Sequence, residues 1–339
     1  MATITNNSDF LFLYEASQCN PNGDPDQENK PRMDYDTDTN IVTDTRVKRY
    51  IRDFLKMTGQ QIFVDMEGES KVSADSKLKA VIGRLLDNEE ELNQVFSENE
   101  NLKNKFLEVK EKAKAKTAEE ILKFMQDKKN RDLSFRLNLF LLAYLVKQKF
   151  VDIRLFGSAF AIEGFNKSYI GPIQLNWGYS LNKVQLMESN SIVTIMNDDN
   201  STFGKDYRVH YSLLAFNGTI NKFAAVGTGL SEEDLQLFRS SIWESIPSLP
   251  TRSKLNQYPK LYLEIIYNEG YHNGNFGDIR SYITTTPADG LDEKQVRKYS
   301  DLSLDLTALT KLISENKGED KPIKDVVIRT APGVEFSVA

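Results

Sequence analysis

Cysteine and histidine are almost absent from this 339-residue chain, which has one cysteine, Cys19, and two histidines, His210 and His272. A single cysteine excludes a disulfide within the chain and is typical of a reducing compartment. Structural zinc sites are usually built from four cysteine and histidine ligands, so none is expected here. We therefore predict neither a metal site nor a cofactor.

Long hydrophobic runs are also missing. The longest apolar stretch, residues 139–146, falls far short of the roughly 20 residues that span a bilayer. The first residues lack the basic segment that opens a signal peptide. With 40% hydrophobic and 27% charged residues, the composition is that of a folded globular protein. We expect a cytoplasmic protein with no membrane partner.

The charge of the chain is unevenly distributed. A formal net charge of −6 gives the whole molecule no general attraction for nucleic acid. A basic helix is nevertheless predicted directly after the polar loop 18–43, with Thr43 as its N-cap and an end before Gly59. At about 100° per residue, its apolar side chains share one face: Val47, Tyr50, Ile51, Phe54 and Leu55. The opposite face carries five cations and one acid: Arg46, Lys48, Arg49, Arg52, Lys56 and Asp53.

We interpret that second face as a directed positive stripe and not as a mixed, salt-bridged surface. A second basic segment, residues 248–260, contains Arg252 and Lys254. The two segments together favour contact with a nucleic-acid backbone, because affinity follows the charge of a patch. Two ordinary exposed segments are the alternative that composition leaves open.

The remaining pattern predicts an α+β fold with an antiparallel sheet. Apolar or alternating runs predict strands at residues 10–17, 151–155, 169–188, 259–270 and 322–333. A long hairpin is expected within residues 191–221, and an amphipathic helix at residues 231–246. Charge-rich residues 65–130, with almost no glycine or proline, predict a helical insertion. Three prolines argue against regular structure in the loop 18–43.

Acidic residues raise a second possibility, a catalytic metal for phosphodiester cleavage. The candidates in the loop and at the start of the helix are Asp24, Asp26, Asp34 and Asp44. No histidine accompanies them, and their spacing does not force them to converge. This interpretation is therefore the weaker one.

Five stretches of the sequence resemble one known family. They are residues 12–55, 151–161 (VDIRLFGSAFA), 171–182 (GPIQLNWGYSLN), 209–221 (VHYSLLAFNGTIN) and 251–270. They resemble the backbone subunit of type I CRISPR surveillance complexes, the Cas-seven family, and its subtype B branch in particular. The resemblance runs nearly end to end, with residues 65–130 as the exception.

The resemblance implies a fold with three parts. Residues 1–64 and 131–339 would form an RRM/ferredoxin-like antiparallel sheet core, the palm. Residues 65–130 would form a helical insertion, the fingers, and residues 189–222 a projecting β-hairpin, the thumb.

The resemblance also implies a function. Copies of the subunit would polymerise head to tail along a guide CRISPR RNA, hold its phosphate backbone and kink it at regular intervals. The bases would then pair with a target DNA strand, alongside the large, small and capping subunits of Cascade. The chain is not expected to be an enzyme. A metal-dependent ribonuclease that uses loop or thumb aspartates, such as Asp198, Asp199 or Asp206, is the alternative.

The resemblance and the basic pattern together predict which residues contact the guide. The expected RNA-binding residues are Asn20, Asn22, Gly23, Thr43, Arg46, Lys48, Arg49, Arg52, Arg154, Gly157, Ser158, Gln174, Arg252 and Lys254. Met196 or Phe203 is expected to be the apolar wedge of the thumb that displaces a nucleotide.

Overall fold

The computed structural model describes residues 2–65, 74–97, 99–114, 117–162, 165–188, 191–194 and 202–336. Its strands are β1 (Ser8–Cys19), β2 (Gly23–Asp24), β3 (Lys30–Pro31), β4 (Met33–Asp34), β5 (Thr39–Val42), β6 (Gly157–Ile162), β7 (Phe165–Ile170), β8 (Ile173–Leu175), β9 (Gly178–Ser180), β10 (Ser191–Thr194), β11 (Thr202–Lys205), β12 (Val209–Ile220), β13 (Gln257–Tyr267), β14 (Thr284–Pro287), β15 (Leu302–Asp305) and β16 (Ile323–Thr330).

Helices account for much of the remaining chain. They are α1 (Asp44–Met57), α2 (Ala74–Asp87), α3 (Glu89–Phe96), α4 (Glu100–Ala113), α5 (Ala118–Gln126), α6 (Arg131–Gln148), α7 (Val151–Phe156), α8 (Lys222–Thr228), α9 (Glu232–Ser248) and α10 (Thr307–Asn316). No described helix is both long and apolar enough to cross a membrane.

The chain divides into two compact units. The first comprises Met1–Ile4, Leu55–Pro172 and Phe223–Leu235. The second comprises Thr5–Phe54, Ile173–Lys222 and Gln236–Ala339. The proposed division into palm, fingers and thumb stays a prediction.

An antiparallel sheet organises the second unit. Its strands run in the order β16-β13-β1-β12-β9-β5-β4, and β8 also pairs with β12. The interior strand β1 pairs with β12 on one side and β13 on the other, with Phe12 opposite both Phe216 and Tyr262. Residues 10–14 of β1 (FLFLY) form a continuous apolar run without alternation, because this part of the strand is buried on both faces. The predicted α+β fold with an antiparallel sheet is confirmed.

Each face of the sheet has its own apolar cover. On one face, Leu11 and Leu263 belong to a buried cluster with Leu309 and Ile313 of α10. On the other face, Phe10 meets Phe238 of α9 edge to face, with ring centroids 5.6 Å apart. Burying a side chain of this size contributes about 1.5–3 kcal/mol. The two layers of packing therefore hold the sheet that carries the loop 18–43 and α1.

The first unit has a helical core. Its buried side chains come mainly from α2, α5 and α6: Leu78, Ile82, Ile121, Leu122, Leu137, Leu141 and Leu145. Local sequence sets the helix starts. Thr117 accepts a hydrogen bond from the Glu120 amide through its hydroxyl, and the Glu120 carboxylate accepts one from the Thr117 amide. This capping box, in the sequence TAEE, starts α5.

Two local predictions are wrong. The alternating residues 151–155 form helix α7 and not a strand. Buried Asp152 accepts hydrogen bonds from the Phe63 and Val64 amides, at 2.7 and 2.9 Å. The strand prediction took the polar Asp152 as solvent-facing, but the residue is buried and its charge is satisfied by backbone amides.

The loop 18–43 also contains more regular structure than its prolines indicated. It includes the short strand pairs β2–β3 and β4–β5, and β5 joins the main sheet through β9. Proline is compatible with such short pairings, because Pro31 pairs with Gly23 at the end of a two-residue strand.

Candidate nucleic-acid interface

Asn22 and Thr43 fix the point where α1 begins. The Asn22 side-chain oxygen accepts hydrogen bonds from the amide and the hydroxyl of Thr43, at 2.8 and 2.9 Å. Gly23 lies in a tight part of the same loop. A β-carbon there would lie 2.0 Å from the side-chain oxygen of Asn29, so a larger residue would displace the loop. These three predicted contact residues therefore shape the loop, and their contact with RNA stays a prediction.

Helix α1 packs in the orientation that its periodicity predicted. Val47, Tyr50, Ile51 and Leu55 are buried, and Phe54 is partly buried. Arg46, Lys48, Arg49 and Arg52 are each partly exposed. The helix thus separates an apolar face from a face that carries its cations.

The expectation of an unmixed positive stripe is wrong. Lys48 Nζ lies 2.9 Å from Asp44 Oδ2, and Arg49 Nε lies 2.9 Å from Asp53 Oδ2. Both pairs join residues four apart, where helical side chains meet. The stripe is therefore partly neutralised by acids of the same helix.

Arg46 is held in a different way. Its guanidinium stacks on the Tyr50 ring, 3.9 Å from the centroid. Its Nε is buried and has no hydrogen-bond partner in the described part of the chain. We predicted Tyr50 only as a core residue and missed this stacking, although the spacing of four residues could have indicated it.

Lys254 lies in the loop between α9 and β13. Gln257 donates to its backbone oxygen and to the hydroxyl of Tyr50, the residue on which Arg46 stacks. The Lys254 ammonium donates to the backbone oxygen of Asn20. Burial, and then the positive charge of Arg46, lowers the pKa of Lys254 to about 8. Among the described residues, neither cation forms a salt bridge with a carboxylate, so their charge is not compensated internally.

Two more predicted contact residues, Arg252 and Gln174, are exposed. Arg252 has a side chain that is 65% exposed, and its Nη2 lies 3.6 Å from Asp206 Oδ2. Asp206 is bound more closely by Arg208, at 2.6 Å. Gln174 is exposed, and its Oε1 lies 3.5 Å from Lys48 Nζ. Asp206, which lies in the predicted thumb, is thus engaged with arginines.

The sequence matches a known protein family over most of its length. The family model described as CRISPR-associated protein Cas7 matches residues 6–307. The chain belongs to the Cas7 family. A curated relative, CRISPR-associated protein Cas7 of Haloferax volcanii, is 29% identical over 326 residues, which cover 92% of this chain and 84% of the relative.

Solved structures give a weaker likeness to this Cas7-family chain. A chain of a "CRISPR RNA-guided surveillance complex, pre-nicking" has a TM-score of 0.48 and 12% identity, and covers 98% of this chain and 94% of the solved one. A chain of a "CRISPR RNA-guided surveillance complex" has a TM-score of 0.46 with the same identity and coverage. Scores this low carry no argument about the site.

Three predicted contact residues lie in the first unit of the Cas7-family chain. Arg154 makes a two-point ion pair with Asp234, at 2.8 and 2.7 Å. Gly157 has a φ of +70°, and a β-carbon there would lie 2.2 Å from the Tyr169 oxygen. Ser158 is partly exposed opposite Tyr169 in β7. Arg154 and Gly157 therefore have internal structural roles, and RNA contact by all three stays a prediction.

The predicted thumb contains a strand pair, since β10 and β11 are antiparallel with Val193 opposite Phe203. Met196 lies outside the described residues, as do Asp198 and Asp199. The Phe203 backbone is described, but its side chain is not. In the described part of the chain, no group of three or more His, Cys, Asp and Glu residues is placed to hold a metal ion.

Proposed function

We propose that this Cas7-family chain is the guide-RNA-binding backbone subunit of a type I Cascade surveillance complex. The family match over residues 6–307 carries this proposal. The cations Arg46 and Lys254, which form no salt bridge with a carboxylate in the described part of the chain, support it, because an acidic chain needs a local positive site to bind a polynucleotide.

The chemistry of a guide sets what such a subunit must do. A guide reads its target by base pairing, so the protein has to hold the sugar–phosphate backbone and leave the base edges free. Arginine and lysine serve this purpose, since they bind phosphate without regard to sequence. The partners on this account are the guide RNA, the target DNA strand and the other Cascade subunits.

Assembly along the guide follows from contacts between unlike surfaces. A head-to-tail contact that does not close into a ring continues as a helical filament. We propose that copies of this chain assemble in this way and that the hairpin formed by β10 and β11 displaces one nucleotide per copy. The chain itself would cut neither strand, and a separate nuclease would do so.

Adding RNA of increasing length to the purified full chain tests this function. We expect the mass of the complex, measured by analytical ultracentrifugation, to grow in steps of one subunit as the RNA lengthens, because each copy covers a fixed length. The RNA should also stay intact during incubation with Mg²⁺. A mass that does not depend on RNA length would contradict assembly, and regularly spaced cleavage products would instead support a metal-dependent ribonuclease.

A further inference from the structure

Most buried or partly buried cations of the second unit are already paired. Arg49 is bound to Asp53, Arg239 to Glu264, Lys260 to Glu15 and Arg208 to Asp206. Arg46 and Lys254 differ, because they come from separate elements, the charge of Arg46 acts on Lys254, and neither forms a salt bridge with a carboxylate among the described residues. Placing two such charges together without a counterion is unfavourable unless a ligand supplies the negative charge.

Buried polar groups hold this cation pair in position. Gln257, 1% exposed, donates through Nε2 to the Tyr50 hydroxyl at 3.2 Å and to the Lys254 backbone oxygen at 2.8 Å. One amide thus connects the tyrosine on which Arg46 stacks with the loop that carries Lys254. Asn20 is 4% exposed. Its backbone N–H donates to the backbone oxygen of Ser253 at 2.9 Å, and its backbone oxygen accepts from the Lys254 ammonium.

We propose that Arg46 and Lys254 form a two-cation site for one phosphate group of the guide RNA, and that Asn20, Tyr50 and Gln257 position the two cations. This inference rests on the proposed function and assigns a phosphate contact to a specific pair among many candidate cations. The guanidinium offers a planar pair of donors and the ammonium a compact charge, and together they can engage both free oxygens of a phosphodiester.

Such a site couples phosphate binding to protonation. Burial and the charge of Arg46 lower the pKa of Lys254 to about 8. A phosphate anion favours the ammonium form, so binding raises this pKa and takes up a proton above pH 8. Affinity should consequently fall as pH rises. With a free pKa of 8, the fall is about tenfold from about pH 7 to about pH 9.

The groups that face Lys254 do not obscure this effect. Arg46 faces it from α1 and keeps its charge throughout this range. Cys19 faces it from β1, and burial raises the pKa of that thiol to about 12. Arg208, which is paired with Asp206, lies near the same thiol and stays charged.

Binding of a fluorescent oligoadenylate RNA of about 12 nucleotides to the full chain tests the site, with anisotropy measured from about pH 7 to about pH 9. Neither adenine nor the phosphodiester titrates in this range. Wild type should lose about tenfold in affinity, whereas Lys254→Arg, whose guanidinium keeps its charge, should stay nearly constant. Arg46→Gln should bind more weakly, and its loss should begin at higher pH because the like charge is gone.

Lys311→Arg is the matched control, because Lys311 is an exposed residue of α10 that pairs with Glu315 of the same helix at 3.8 Å, and the variant should keep the wild-type pH profile. Inorganic phosphate at millimolar concentration should compete weakly if the site takes a phosphate and its main ligand is RNA. Competition as strong as that of unlabelled RNA would overturn the assignment to the guide.

The two possible failures are distinguishable. Wild type that binds no RNA at about pH 7 would overturn the proposed function. Wild type that binds RNA but shows no pH dependence, or a Lys254→Arg variant with the wild-type dependence, would overturn the two-cation site alone. Circular dichroism of each variant shows whether it is folded.

Discussion

Arg46→Glu is expected to weaken RNA binding by about 100-fold, which corresponds to ~2.7 kcal/mol. The change removes a guanidinium that has no acidic partner among the described residues and places a negative charge beside the phosphate. The slope of log affinity against log salt concentration should also become less steep by about one. Anisotropy titrations at several salt concentrations measure both quantities.

Arg49→Glu is the matched comparison. Arg49 lies on the same helix, is also partly exposed, and is already paired with Asp53. Asp53 partly neutralises its charge before RNA binds. Apart from the effect of the altered net charge, the same substitution should therefore lower RNA affinity by about threefold or less. Equal losses for the two variants would mean that the helix acts as a uniform positive stripe and that internal pairing does not select the contact.

Glu264→Gln is expected to lower the free energy of unfolding by about 3–5 kcal/mol. Glu264 is completely buried in β13 and accepts from Arg239 through Nε and Nη2, at 2.7 and 2.9 Å. It also accepts from the Ser8 and Tyr262 hydroxyls, at 2.7 and 2.8 Å. The amide has one acceptor oxygen instead of two, and the largely buried Arg239 loses the negative charge of its carboxylate partner.

Glu244→Gln serves as the control for this prediction. Glu244 binds Arg329 through side chains that are 44% and 45% exposed, so removing its charge should cost about 1 kcal/mol or less. Urea unfolding of the two variants gives the comparison directly. A loss below about 1 kcal/mol for Glu264→Gln would show that the buried network does not stabilise the sheet.

Periodicity predicted the elements whose burial has a simple pattern. The strand β1 could be predicted from its apolar run, because it is buried on two faces. The orientation of α1 could be predicted from its helical periodicity, because it is buried on a single face. Residues 151–155 misled the same reasoning. Their polar positions Asp152 and Arg154 find partners inside the first unit, so polarity did not mean exposure to solvent.

The site was only partly predictable. The sequence places Arg46, Lys48, Arg49 and Arg52 on one face of α1, but it did not lead us to distinguish the paired cations from Arg46. The spacing of Lys48 from Asp44 and of Arg49 from Asp53 was a usable signal that we underweighted. The effect of the Arg46 charge on Lys254 could not be predicted from the sequence, since it depends on tertiary packing between distant parts of the chain.

The central claim is that this chain holds a guide RNA along an assembly of its own copies. Nuclease digestion of the purified native assembly, followed by sizing of the protected RNA, tests it most directly. We predict that RNA copurifies with the protein and that the protected fragments differ in length by one constant increment, the length covered by each copy. Purified protein that carries no RNA would contradict the account. So would bound RNA that the nuclease digests as fast as it digests RNA without the protein.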